Sequence, residues 1–255
     1  MGNLVYEQMG NKDSEVTLVF LHGSTMTKEG LFPLAEKFGE YNCICLDLTA
    51  HGKSGGELPT CITDIAKDVE ETIESLKETK VVQGKVVILG YSMGGAITYE
   101  IALRKKTKTD AIVFLGSGAD LKHHTPAVDQ MKGMPVEAFQ TEAILDFLFG
   151  SMVDEAEKTK IKNRFLDTSV KNEIGFNDLM ISNAYDRIDQ ANEIECPTLL
   201  VQGCEDTIVL PSAAVETWKQ IKNSQLLMVP YGGHALIFED TEAVSERIKG
   251  FIERI

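Results

Sequence analysis

GYSMGG, Gly90 to Gly95, joins the apolar run VVIL (86–89) to AITYEIALRKK (96–106), a run of helical composition. Ser92 therefore stands at the bend between an expected strand and an expected helix. A serine hydroxyl is a weak nucleophile at neutral pH, so a chain that uses one must hold it on a tight turn within reach of a base. Gly90, Gly94 and Gly95 keep that crossing free of side chains. Taken alone, G-x-S-x-G also fits a packing turn, and the rest of the chain has to decide between the two.

Two later segments bear on that choice. PTLLVQG (197–203) runs into Cys204-Glu205-Asp206, and SQLLMVP (224–230) runs into Tyr231-Gly232-Gly233-His234. Each sets a polar side chain just past an expected strand, on the carboxyl edge where open α/β sheets bind ligands. Serine, acid and histidine are thus expected on one edge.

Short apolar runs recur along the chain: VTLVFL (16–21), NCICLDL (42–48), KVVILG (85–90), DAIVFLG (110–116) and the two just quoted. They alternate with helical patterns at 61–78, 212–222 and 243–255, which predicts βαβ units and a mainly parallel sheet with helices on both faces. NLVYEQM (3–9) is expected to add an antiparallel edge strand. The rhythm breaks between Gly116 and Cys196. So long a stretch without structure is improbable in a compact domain, so an inserted helical segment is expected there.

With these segments in view, the chain resembles the serine α/β-hydrolase superfamily from about Val16 onward. LVFLHGS (18–24) is similar to the family's His-Gly oxyanion loop, and CLDLTAHGKS (45–54) to its D-x-x-G-H-G-x-S segment, with Ala50 where glycine is usual. The resemblance implies an α/β-hydrolase fold whose core comprises residues 1–120 and 196–255, with a helical cap at 121–195. The family commonly places its cap after the sixth strand, where DAIVFLG is expected to fall.

The resemblance also implies roles. Ser92 would be the nucleophile, His234 the general base, and Asp206 the group that holds the histidine tautomer. Glu205 and Asp120 are the rival acids; Asp206 is preferred because CEDTIVLP (204–211) resembles the family's acid loop. The backbone N–H groups of Met93 and Ser24 would form the oxyanion hole, with Thr25 the alternative to Ser24. His22 and His51 are expected to be structural, and His123-His124 lacks companion ligands for a metal.

Residues 121–195 hold Phe139, Phe147, Phe149, Phe165 and Phe176, with Met131, Met134, Met152 and Met180. Most of these are expected to pack the cap. Phe147, Phe149 and Met152, in the apolar stretch 143–153, are the candidates for the wall of an acyl pocket.

Composition narrows the partners. A net charge of −14 argues against nucleic acid and anionic membranes, which need a basic face. The basic run Arg104 to Lys108 closes the helix after Ser92 and reads as a solvated face complementing the helix dipole. Five cysteines, an odd number without C-x-x-C spacing, fit free thiols, mostly buried, in a reducing compartment. The amino-terminal segment shows no secretory pattern, Tyr6 stands where a myristoylation motif requires Ser or Thr, and no apolar run is long enough to cross a bilayer. A cytoplasmic enzyme without cofactor or metal is expected, acting on a small-molecule ester.

The function expected is hydrolysis of carboxylic esters with small to medium acyl chains, thioesters included, through an acyl-enzyme. The same residues would also serve a C–C bond hydrolase, a perhydrolase or an acyltransferase, and a non-catalytic binding protein on this fold is the alternative of a different class.

Overall fold

The computed structural model describes residues 4–122, 133, 135–136 and 141–255. Its strands are β1 (Tyr6–Gly10), β2 (Val16–Leu21), β3 (Asn42–Leu46), β4 (Lys85–Tyr91), β5 (Ala111–Leu115), β6 (Thr198–Gly203) and β7 (Ser224–Val229). They form one sheet in the order β1-β3-β2-β4-β5-β6-β7. β1 runs antiparallel to β3 and every other pairing is parallel. This is the α/β-hydrolase architecture. DAIVFLG supplies the fifth strand of this sheet rather than the sixth, because β1 is the one described strand ahead of β2.

The apolar runs are continuous rather than alternating because both faces of the sheet are covered. Val19 and Leu21 of β2 and Ile88 of β4 pack in one core, while Leu18, Phe20, Val87 and Leu89 pack in another on the opposite face. The described helices are α1 (Phe32–Ala35), α2 (Ile62–Glu78), α3 (Met93–Arg104), α4 (Glu142–Leu145), α5 (Glu155–Asp167), α6 (Asn172–Asn183), α7 (Pro211–Gln220), α8 (Leu236–Glu239) and α9 (Thr241–Ile252). Helices α2, α3 and α7 contribute to the first core, and α1, α8 and α9 to the second. In α2 the buried residues Ile62, Ile65, Ala66, Val69, Ile73 and Leu76 recur at helical spacing, so one stripe meets the sheet and the acidic face meets water.

Between β5 and β6 lie α4, α5 and α6. The two ends of this insertion are tied together: Leu121 N–H donates to Tyr185 O (3.0 Å) and Arg187 N–H to Ala119 O (2.9 Å). The expected His123-His124 pair, Met131, Met134 and Phe139 lie outside the described residues.

The thiols divide differently from expectation. Cys43 and Cys45 are buried in β3, and burial pushes Cys43 up to about 12, but Cys61 at the N-cap of α2 and Cys204 in the turn after β6 are exposed. Among the described residues no helix is long and apolar enough to cross a membrane.

Candidate active site

The parallel strands β2, β4, β6 and β7 deliver Ser24, Ser92, Asp206 and His234 to one edge of the sheet, each residue following the carboxyl end of its strand. Ser92 caps α3 with φ 52° and ψ −118°. A non-glycine residue held there costs roughly 1–3 kcal/mol, which the surroundings must offset. They do so through Ser92 N–H to Leu115 O (2.9 Å) and Ser117 Oγ to Ser92 O (2.8 Å). A Cβ on Gly90 would lie 2.1 Å from Gly94 O, and one on Gly94 would lie 2.2 Å from Leu21 O. The motif's glycines are therefore required by the crossing of backbone on backbone.

Ser92 Oγ lies 3.0 Å from His234 Nε2, and His234 Nδ1 lies 2.8 Å from Asp206 Oδ2. All three residues are buried. Asp206 Oδ1 accepts the N–H groups of Ile208 and Val209 (both 2.9 Å), and Oδ2 also accepts Gln202 Nε2 (2.9 Å). A carboxylate so surrounded by donors is fixed in its orientation. With Nδ1–H directed at Asp206, Nε2 presents a lone pair to the serine, so the chain of contacts can draw a proton from Ser92 Oγ.

The histidine loop has its own supports. Tyr91 O–H donates to His234 O (3.1 Å), and Glu239 accepts both Gly233 N–H and Gly150 N–H (3.0 Å each). Burial raises the Glu239 pKa, against the two N–H donors that lower it. Of the two rival acids, Glu205 turns away to bind Ser151 N–H (2.6 Å) and Ser151 Oγ (2.9 Å), and Asp120 accepts Lys122 N–H (2.6 Å). Neither is brought to His234.

On the other side of Ser92, the structure distinguishes Ser24 from Thr25. Thr25 N–H is already bound to Asp178 Oδ2 at 2.9 Å, so it is not free to face a substrate. Both residues line the cavity beside Ser92, so the engagement of the Thr25 N–H is what separates them. Met93 N–H is the first donor of α3 and has no intrahelical acceptor.

His22 is buried, with Nδ1 on Gly23 O (2.9 Å) and Nε2 accepting Leu48 N–H (3.1 Å). It fixes its loop, and burial with the neighbouring His51 charge holds its pKa well below the usual value. His51 faces acceptors on both nitrogens, Thr49 O (2.8 Å) and Asp178 Oδ2 (2.9 Å). Burial would lower its pKa, but the Asp178 carboxylate and the Thr49 carbonyl outweigh it and raise it. Ala50, between them, adopts φ 67°, the left-handed conformation that explains why glycine is usual there.

The two histidines have opposite effects on stability. His51, with a raised folded value, contributes fully below about pH 6.5 and loses that contribution as pH rises through its folded pKa. His22, kept neutral, contributes above about pH 6.5 and loses it as pH falls toward its folded pKa. The thermal midpoint of His51→Gln is expected to fall less steeply than wild type between pH 7 and 9; parallel alkaline limbs in unfolding scans would contradict this.

A cavity of about 40 Å³ opens beside Ser92, walled by Ile144, Leu148, Phe165, Leu179 and Ile208. The expected wall residues are placed elsewhere. Phe147 is 41% and Met152 74% exposed, and Phe149 packs at the edge of the core under Lys162. The physical reason is that Leu148 O accepts Ala235 N–H (2.8 Å) and Phe147 O accepts Thr207 Oγ1 (2.9 Å), which turns Leu148 inward and its neighbours out.

Gln202, Ser117, Tyr91 and Asp178 were not singled out in the sequence. Gln202 carried a usable signal, a lone polar residue in the apolar stretch TLLVQG, whereas Asp178 follows Asn177 and does not stand out.

A family model described as serine aminopeptidase, S33, matches residues 12–241. The chain is 28% identical to a lipase-esterase related protein from Clostridium acetobutylicum, superposing with a TM-score of 0.87 over 98% of this chain and 100% of that one. It is 28% identical over 85% of its length to the pimeloyl-[acyl-carrier protein] methyl ester esterase of Nitrosospira multiformis, covering 87% of that protein. It is also 27% identical to the uncharacterized hydrolase YugF of Bacillus subtilis, covering 98% of this chain and 94% of that protein.

Proposed function

The chain belongs to the serine α/β-hydrolases, in the family described as serine aminopeptidase, S33, and from that membership we propose that it hydrolyses carboxylic esters with small to medium acyl chains, thioesters included. The observation that carries the reading is the hydrogen-bond sequence Ser92 Oγ, His234, Asp206 at 3.0 and 2.8 Å, set on a strained turn beside an apolar cavity. Ser92 Oγ attacks the ester carbonyl while His234 Nε2 takes its proton. The developing oxyanion lies between the N–H groups of Ser24 and Met93, each worth up to about 3 kcal/mol. His234 returns the proton to the leaving alkoxide and the alcohol departs. Water then attacks the acyl-enzyme, giving up a proton to His234, and the acid leaves as Ser92 is regenerated.

Residues 121–195 act as the cap, and its helices supply most of the acyl wall. An aliphatic and aromatic lining suits an uncharged acyl chain better than the ammonium group of a free peptide terminus. The Nitrosospira relative, a methyl ester esterase, points the same way. The free thiols suit a cytoplasmic setting.

A cavity of about 40 Å³ holds only a few solvent-sized groups, so acetyl to butyryl esters are expected to have the highest kcat/KM in a p-nitrophenyl ester series. Leu179→Ala enlarges the wall and is expected to raise kcat/KM for hexanoyl relative to acetyl ester by roughly fourfold per methylene newly housed. No hydrolysis of any member by the wild-type protein would sink the esterase reading. An unchanged acyl preference in Leu179→Ala would remove the cavity from it.

A further inference from the structure

We propose that Asp178, anchored by His51, is a positioning residue that sets the oxyanion loop through the backbone of Thr25. This rests on the reading of Ser92 as nucleophile and Ser24 as an oxyanion donor. Thr25 is β-branched yet has φ 65°, a conformation such a residue does not hold without support. The support comes from the insertion that carries α6, and it comes twice. Asp178 Oδ2 accepts Thr25 N–H (2.9 Å), and Val170 N–H donates to Thr25 O (3.0 Å) where Met26 and Ser169 form an antiparallel bridge. Both peptide groups flanking the Thr25 α-carbon are thus held from residues 169–178.

The other half of the device lies in the core domain. Asp178 and His51 are both fully buried, and His51 Nε2 reaches the same Oδ2 oxygen that Thr25 occupies. A buried carboxylate is retained only where donors satisfy it, and here one donor is the loop after β3 and the other is the loop after β2. Asp178 Oδ1 has no partner among the described residues, so these two contacts define its place. Because the Thr25 N–H is consumed, the peptide before it is oriented, and Ser24, one residue earlier, is aimed at the space beside Ser92. Leu179, next to Asp178 on α6, lines that same space. One turn of α6 therefore sets both the acyl wall and the oxyanion loop.

A merely structural ion pair would lower stability without acting selectively on the transition state. The test uses the full chain with Asp178→Asn, which keeps an acceptor oxygen for Thr25, and Asp178→Ala, which does not. Inhibition by a trifluoromethyl ketone, which forms a tetrahedral oxyanion on Ser92, is compared with inhibition by the matching alcohol, which cannot. Asp178→Ala is expected to lower kcat for p-nitrophenyl acetate by about 10- to 100-fold with KM within about twofold, and to weaken the ketone by a similar factor while the alcohol is unchanged. Asp178→Asn is expected to fall between it and wild type, and it decides alone if the alanine variant does not fold. Wild-type kcat and ketone affinity in Asp178→Asn and in any folded Asp178→Ala would overturn the proposal, as would equal weakening of ketone and alcohol. Loss of the underlying site reading would show separately, as ketone binding that survives Ser92→Ala.

Discussion

Ser92→Ala is expected to lower kcat for an activated ester by roughly 10⁵- to 10⁶-fold, with the fold intact. The size follows from the arrangement rather than from the serine alone. On the proposed mechanism, once Oγ is gone His234 has no group to deprotonate and Asp206 has no imidazolium to stabilise, so the three contributions disappear together. What remains is the rate that the oxyanion donors and the cavity give to direct attack by water. Folding is expected to change little. The strained turn is held by Ser92 N–H and Ser92 O, backbone groups that alanine retains. A fluorophosphonate should add once to the wild-type chain, on a peptide containing Ser92, and not to the variant. Full ester hydrolysis by Ser92→Ala, measured with its unfolding midpoint, would refute the mechanism.

The second large effect is expected of Asp206→Asn, about 10⁴-fold in kcat. The structure dictates how the new amide would turn. Two backbone donors, Ile208 N–H and Val209 N–H, occupy one side of the Asp206 carboxylate, so the amide oxygen has to stay there. The amide nitrogen then faces His234 Nδ1, which must answer with a lone pair, and the ring proton moves to Nε2. In that tautomer the histidine donates to Ser92 instead of accepting from it. Asp120→Asn is expected to stay within about threefold of wild type, since Asp120 serves a turn through Lys122 N–H. Turnover of one ester by both variants checks this; the reverse ranking would move the acid to the loop after β5.

Sequence and structure contributed in different ways to this picture. The sheet was legible because each buried strand needs an apolar run and each run was bounded by turn residues. Ser92, Asp206 and His234 were legible because each follows its own strand directly, so topology alone carries them to a common edge. Ala50 marked itself by departing from glycine at a position that turned out to have φ 67°. The division of the long insertion into α4, α5 and α6 was not legible beyond its being helical.

The cavity wall was beyond reach of the sequence for a specific reason. Phe147, Leu148 and Phe149 are consecutive and all apolar, so composition cannot choose among them. The choice is made by Ala235 and Thr207, whose hydrogen bonds to Leu148 O and Phe147 O span 87 and 60 residues. The same holds for Asp178, which meets Thr25 across 153 residues and His51 across 127. By itself the sequence determined what local sterics and strand-by-strand burial determine: the sheet, the strained serine turn and the edge where polar residues gather. Only the tertiary structure decided which side chains line that edge and which N–H groups remain free there, because those outcomes depend on donors and acceptors brought together from distant segments of the chain.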